Sequence, residues 1–217
     1  TQPTHAALAR RIMATSLVLV GHPRRDDILL AIGEHDSGWL EQDAAPTVDP
    51  ASGAIVDFIS APLAARQAWP GRGVARLAAT APYAAALVAE HGLTVYAGLR
   101  SEPAWHTYFA DLEARRASLL GMVGASVETV HDDYGWVRLA DLMSLAFCTE
   151  DGPQTFREWT VSRRGDAVRV EPPTFGIITS IQVVGTRIAR RSYATDEDLR
   201  GAIAQGTAVT LTGTATA

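Results

Sequence analysis

Six histidines are spread along the chain, at positions 5, 22, 35, 91, 106 and 131. One of them stands beside an acid in the stretch EHDSGWLEQD, residues 34–43, as the pair His35-Asp36. A lone histidine is more often a packed or solvated side chain than a ligand. The case changes when His5, His35, Asp36, His91 and Asp141 are taken together. Each falls on a segment with a helical apolar face, and a helical bundle can aim such side chains at one point. Imidazole nitrogens with carboxylate oxygens suit one or two divalent ions, with Fe, Mn, Zn, Ni and Co equally compatible. Adjacent residues on a helix diverge by about 100°, so His35 and Asp36 can share an ion that lies across a helix end. In such a site Asp36 is the carboxylate able to bridge two ions, and Asp36 and His91 are the candidates for catalytic roles.

Other chemistries are excluded by what the sequence lacks. All 19 basic residues are arginine, so neither a lysine Schiff base nor a P-loop lysine is available. No GxSxG occurs, and GRG (71–73) and GMVG (121–124) follow no strand, so neither a nucleophile elbow nor a phosphate loop is present. The single cysteine, Cys148, permits no intrachain disulfide and no Cys-rich zinc site; after DLMSLAF it is expected to be a buried small hydrophobe. A net charge of −5 offers no general attraction to nucleic acid, and no apolar run approaches a membrane span. The expectation is a cytoplasmic protein acting on a small-molecule substrate, without nucleic acid or membrane, with a homodimer left open. The remaining candidates have simpler readings. His131-Asp132-Asp133 precedes a helix, where an acid caps or complements the dipole. His106 is expected at the surface and His22 in solvent. Asp43, Asp49 and Asp57 are expected to form turns.

Hydrophobic residues make up 47% of 217, enough to bury a normal core and position these groups. The pattern predicts helices over 4–20, capped by Thr4, and over 24–39, ending at Gly38 with His35 and Asp36 in the last turn. Residues 40–61 are irregular, a long loop of the kind that often carries function. Further helices are predicted over about 62–79, 82–98, 102–123 and 132–147, the last strongly apolar and central. After Gly152-Pro153 the stretches FREWTVSRR, AVRVEPP, IITSIQVVG and TRIARRSY read as short strands. A helix capped by Thr195 spans 195–205, and TAVTLTGTATA closes the chain as a strand. The fold class is mainly α, α+β overall. It divides into a helical metal-binding domain, 1–152, and a β-rich extension with one short helix, 153–217.

The order H…HD…D, with the string His35-Asp36-Ser37-Gly38, resembles the HD-domain superfamily of metal-dependent proteins, which implies an HD-like helical bundle. The resemblance implies that His5 is the first ligand, His35 and Asp36 the central pair, Asp141 the closing ligand, and His91 the extra histidine that serves a second ion. A more specific likeness covers most of the chain. EHDSGWLEQDAAPTVDPASGAIVDF, THAALA, APYAAALVAEHGL, LADLMSLAFC and the β-rich tail, in that order, are similar to the bacterial family of unknown function 3891. That family implies a fold and no established reaction. The superfamily implies a metal-dependent hydrolase of a small substrate, with a phosphoester as the expected class. Two alternatives are a non-haem (di-)iron oxygenase and a non-catalytic ligand-binding domain. One position departs from the pattern: many HDxG enzymes place Lys or His after the glycine, where this chain has Trp39. Arg10, Arg11 and Arg138 are the arginines near ligands in sequence that could restore the charge.

Overall fold

A computed structural model describes residues 1–149, 152–173 and 175–217. Helix α1 (Gln2–Ala14) admits Pro3 because a first-turn residue needs no N–H partner. Its buried stripe is His5, Leu8, Ala9, Ile12 and Met13, the i, i+3, i+4, i+7, i+8 pattern of one helix face. Ala7 and Ala14 lie off that face and are exposed. The helix ends before LVLV rather than running through it. Ser16 is extended, the Leu17 N–H goes to the Phe175 carbonyl at 3.0 Å, and a single 3-10 turn follows over Leu17–Leu19. Thr1, not Thr4, occupies the cap position.

Helix α2 (Arg25–Glu34) buries Ile28, Leu29, Ala31 and Ile32 and stops earlier than predicted. His35 closes it, and Asp36 lies outside it at φ −112°, ψ 13°, in the sparsely allowed bridge region. A 3-10 turn (Ser37–Trp39) and the short helix α3 (Leu40–Ala44) continue the chain. Gly38 is therefore no helix stop. A β-carbon there would fall 1.8 Å from the Trp69 carbonyl oxygen, so glycine is required by close backbone approach. Helix α4 (Leu63–Leu77) supplies that carbonyl, and its Arg72 and Arg76 brace the turn by donating to the Gly38 and Ser37 carbonyls at 3.0 and 3.2 Å.

Helix α5 (Pro82–Val95) is buried from Tyr83 to Leu93, which makes it the centre of the bundle. It packs on α2, α4, α6 (His106–Val123) and α7 (Val127–Cys148). Helix α6 ends at Gly124, which takes the left-handed conformation at φ 62°. Helix α7 begins five residues earlier than predicted, because the Ser126 side chain accepts the Thr129 N–H at 3.1 Å. His131, Asp132 and Asp133 are thus interior helix residues, not caps. Asp133 is buried, accepting from Tyr83 Oη at 2.6 Å with His22 Nε2 at 3.4 Å, so His22 is partnered rather than simply solvated. Cys148 at the end of α7 is exposed, against expectation.

The C-terminal sheet comprises β1 (Gln154–Phe156), β2 (Trp159–Arg164), β3 (Ala167–Glu171), β4 (Ile178–Arg187) and β5 (Thr207–Thr216), in the order β1-β2-β3-β5-β4. Among the described residues the β3–β5 pair is parallel and the other pairs are antiparallel. The two segments read as separate strands at 177–193 are one long strand, β4, that ends before Ile188. Helix α8 (Asp196–Ala204) connects β4 to β5 and is capped by Thr195, as predicted. Helix α7 lies against β2 and β3 and helix α1 against β4, and one apolar core runs from α5 through α7 into the sheet. Among the described residues no helix is long and apolar enough to cross a membrane.

Residues 45–61 are extended but tied down. Asp49 and Asp57 accept the N–H groups of Ala51, Ser52, Ile59 and Ser60 in turns, as predicted, and Val48 bridges to Ile55. The segment is also held from outside. Gly53, at φ 67°, accepts the Tyr193 N–H through its carbonyl at 2.8 Å, and the Val48 N–H donates to Asp196 at 2.8 Å.

Candidate metal centre

The five residues singled out by type and spacing meet at one place. His5 comes from α1, His35 and Asp36 from the end of α2, His91 from α5 and Asp141 from α7, and all five are buried. His5 Nε2 lies 2.7 Å from Asp36 Oδ2, and His35 Nε2 lies 3.6 Å from Asp36 Oδ2 and 3.4 Å from Asp141 Oδ1. His91 Nε2 is 4.0 Å from the other Asp36 oxygen, Oδ1. Two overlapping sets result, His5/His35/Asp36 and His35/His91/Asp141, each with ligand atoms within 4.8 Å of one another. Ligand atoms bound at about 2.1 Å to one ion stand roughly 3.0–3.4 Å apart. The His35–Asp141 and His35–Asp36 separations are close to that range.

The groups behind these side chains fix which nitrogen faces inward. Ser144 Oγ donates to the Asp141 carbonyl at 2.8 Å, so toward His5 Nδ1, at 2.9 Å, it acts as acceptor. His5 therefore carries its proton on Nδ1 and turns the Nε2 lone pair toward Asp36. His35 Nδ1 donates to the Ile32 carbonyl at 2.7 Å, one of the carbonyls left open at the end of α2. Its Nε2 is buried and has no hydrogen-bond partner. Two imidazole lone pairs thus face carboxylate oxygens, acceptor against acceptor, an arrangement that calls for a proton or a cation between them. His91 Nδ1 meets Tyr134 Oη at 3.1 Å, and Arg138 donates to Asp141 Oδ2 at 2.6 Å.

Electrostatics within the cluster are strongly coupled. Burial disfavours a charged His35, but the Asp36 and Asp141 carboxylates and the Ile32 carbonyl outweigh it and push His35 up to about 9. His91 is driven the other way, to about 3, by burial and by the neighbouring His35. For Asp36 and Asp141 burial alone would raise the carboxyls. The facing histidines, and Arg138 at Asp141, hold both below the usual carboxylate range. The cluster therefore keeps two carboxylates ionised and His91 neutral, the forms that bind divalent metals, while His35 must give up a proton to bind one.

Trp39 packs in the wall of this site. It is 4% exposed and stacks on Trp69 at 5.8 Å, and the Trp69 ring stands 5.8 Å from His91. Of the three arginines nominated from sequence, one reaches the cluster. Arg138 pairs with Asp141, Arg11 donates to the Gln182 carbonyl, and Arg10 is exposed over Gly33. His106 is exposed, as expected, and Asp43 holds the Gln2 N–H at 2.7 Å. A cavity of about 590 Å³ lies away from the cluster, between α4 and α6, lined by Gln67, Arg72, Asp111 and Arg115 among others. Sequence reading missed Ser144 and Tyr134, although both share a face of α7 with Asp141, at i+3 and i−7.

Fold and site together define a mainly helical α+β protein with a buried His/Asp cluster able to hold a metal ion. The chain belongs to the family described as "Protein of unknown function (DUF3891)", whose model matches residues 1–183. No match was found among curated proteins or among solved structures.

Proposed function

We propose that the protein is a metal-dependent hydrolase of a small substrate, a phosphoester being the leading class, with His5, His35, Asp36, His91 and Asp141 as metal ligands. What supports the reading is the pair of Nδ1-locked histidines whose Nε2 lone pairs face carboxylates inside a buried site. The H…HD…D order, which resembles that of HD-domain metal proteins, points the same way. A divalent ion bound there supplies a Lewis acid and lowers the pKa of a coordinated water toward neutrality.

The chain's own residues divide the remaining work. Asp36 places Oδ2 near His5 and His35 and Oδ1 4.0 Å from His91, so it would be the bridging carboxylate if two ions were bound, with His35 common to both sets. His91, neutral at pH 7, presents Nε2 as a ligand when its Nδ1–H donates to Tyr134. Arg138 balances the charge of Asp141 and fixes which of its oxygens faces His35. The apolar wall of Trp39 and Trp69 limits water at the His91 side.

The test is elemental analysis of protein purified without chelator or polyhistidine tag, followed by a panel of phosphoesters, nucleotides and carboxylic esters. The expected result is one or two metal ions per chain, lost in His35→Ala and Asp36→Ala, with phosphoesterase turnover lost alongside. Equal metal content in parent and variants would overturn the assignment. Iron with visible absorption and no hydrolysis would turn it toward oxygen chemistry.

A further inference from the structure

Arg138 is spent on Asp141 and Arg11 on the Gln182 carbonyl, and another arginine stands out on the aromatic wall that reaches His91. Arg66 lies one turn before Trp69 on α4, hence on the same helix face. Its Nε is buried without a partner, and its guanidinium makes no hydrogen bond or ion pair among the described residues. Its central carbon lies 5.8 Å from the Trp105 ring centroid. The Trp105 ring stands 4.5 Å from Tyr96, and Tyr96 Oη accepts the Trp69 Nε1–H at 3.1 Å. Trp105, Tyr96 and Trp69 thus form a continuous wall with Arg66 at one end and His91 at the other.

Tyr96 connects this end of the wall to the site through Trp69, whose ring stands 5.8 Å from His91. Its hydroxyl accepts from Trp69 and donates to none of the described residues. Contact with Trp105 accounts for the face of the guanidinium but leaves its in-plane N–H donors free, and that planar fork matches a phosphate or carboxylate. We propose that Arg66, aided by the Tyr96 hydroxyl, forms a subsite for an anionic group of the substrate at the far end of the aromatic wall that reaches His91. The proposal rests on the hydrolase reading for its role, and not for its binding.

Inorganic phosphate is the probe, titrated against tryptophan fluorescence in metal-loaded and in chelator-treated protein. The parent should show saturable binding in both forms. Arg66→Gln should weaken it about tenfold or more in both, with unchanged metal content and far-ultraviolet circular dichroism. Arg66→Lys, which keeps charge and loses the fork, should fall between. Should Arg66→Gln misfold, a loss of several-fold in Arg66→Lys decides in favour. Equal binding by parent and folded variants, or no saturable binding by the parent, overturns the proposal. The His35→Ala protein separates the two ideas: metal retained in it sinks the hydrolase reading, whereas the phosphate response of chelator-treated protein tests Arg66 alone.

Discussion

Ser144→Ala is a sharp test of how the cluster is built. Ser144 is fully buried; its oxygen accepts His5 Nδ1–H at 2.9 Å while its own proton goes to the Asp141 carbonyl at 2.8 Å. Alanine deletes both bonds at little steric cost. A buried donor left unpaired costs about 1–3 kcal/mol. His5 has an escape: it can move its proton to Nε2 and donate to Asp36 Oδ2 at 2.7 Å. The metal-free protein should therefore lose stability near the low end, roughly 1 kcal/mol by urea denaturation. That escape removes the Nε2 lone pair from the metal position. Metal affinity should then fall about 10- to 100-fold, the usual effect of removing a group that orients a ligand, or roughly 1.4–2.7 kcal/mol. Competition with a chromophoric chelator reads this directly. Affinity within twofold of the parent, in a folded variant, would refute the idea that Ser144 selects the His5 tautomer.

Three further outcomes are expected. Gly38→Ala must separate the Ser37–Trp39 turn from the Trp69 backbone, since the new carbon would fall 1.8 Å from a carbonyl oxygen; a loss of about 3 kcal/mol or more is expected, and one below about 1 kcal/mol would show that the contact yields easily. In metal-free protein the raised His35 value means that its attraction to Asp36 and Asp141 is fully present below about 6.5 and fades as pH rises through about 9. Metal must displace that proton, so its apparent affinity should instead climb about tenfold per pH unit toward pH 9 and then level off; a flat profile from chelator competition would contradict the assignment of His35. Tyr83→Phe leaves buried Asp133 without its 2.6 Å hydroxyl donor and should cost about 1.5–3 kcal/mol in urea denaturation, with metal content unchanged; parallel loss of metal would mean that this pair also shapes the cluster.

The helices that carry His91 and Asp141 were legible because their apolar runs are long and lack competing turn signals. The His35-Asp36 turn was harder, because a helix end followed by a 3-10 turn keeps an almost helical pattern, and Gly38 resembles a stop while serving a contact with α4. LVLV after Ser16 looked helical since local pattern cannot register the Phe175 carbonyl that captures Leu17. Likewise the start of α7 was misplaced because Asp132 and Asp133 resemble caps, when Ser126 supplies the cap and Asp133 is spent on Tyr83. The five clustered residues could be named from type and helical context. Arg66, Trp69 and Tyr96 could not, because only tertiary packing brings α4 and the end of α5 to the same wall.

The placement of β5 has a consequence for anyone shortening the chain. The family match ends at residue 183, an inviting boundary for truncation. Yet β5 pairs with β3 on one side and with β4 on the other, and Ala217 exchanges both backbone hydrogen bonds with Ile177. A fragment ending at 183 would strip the partner from both strands at once and bare two unprotected sheet edges, a recipe for intermolecular pairing. It would also release Gly53 and Val48 from Tyr193 and Asp196. Insolubility of such a fragment would report on the missing strand and not on the chemistry of the helical half.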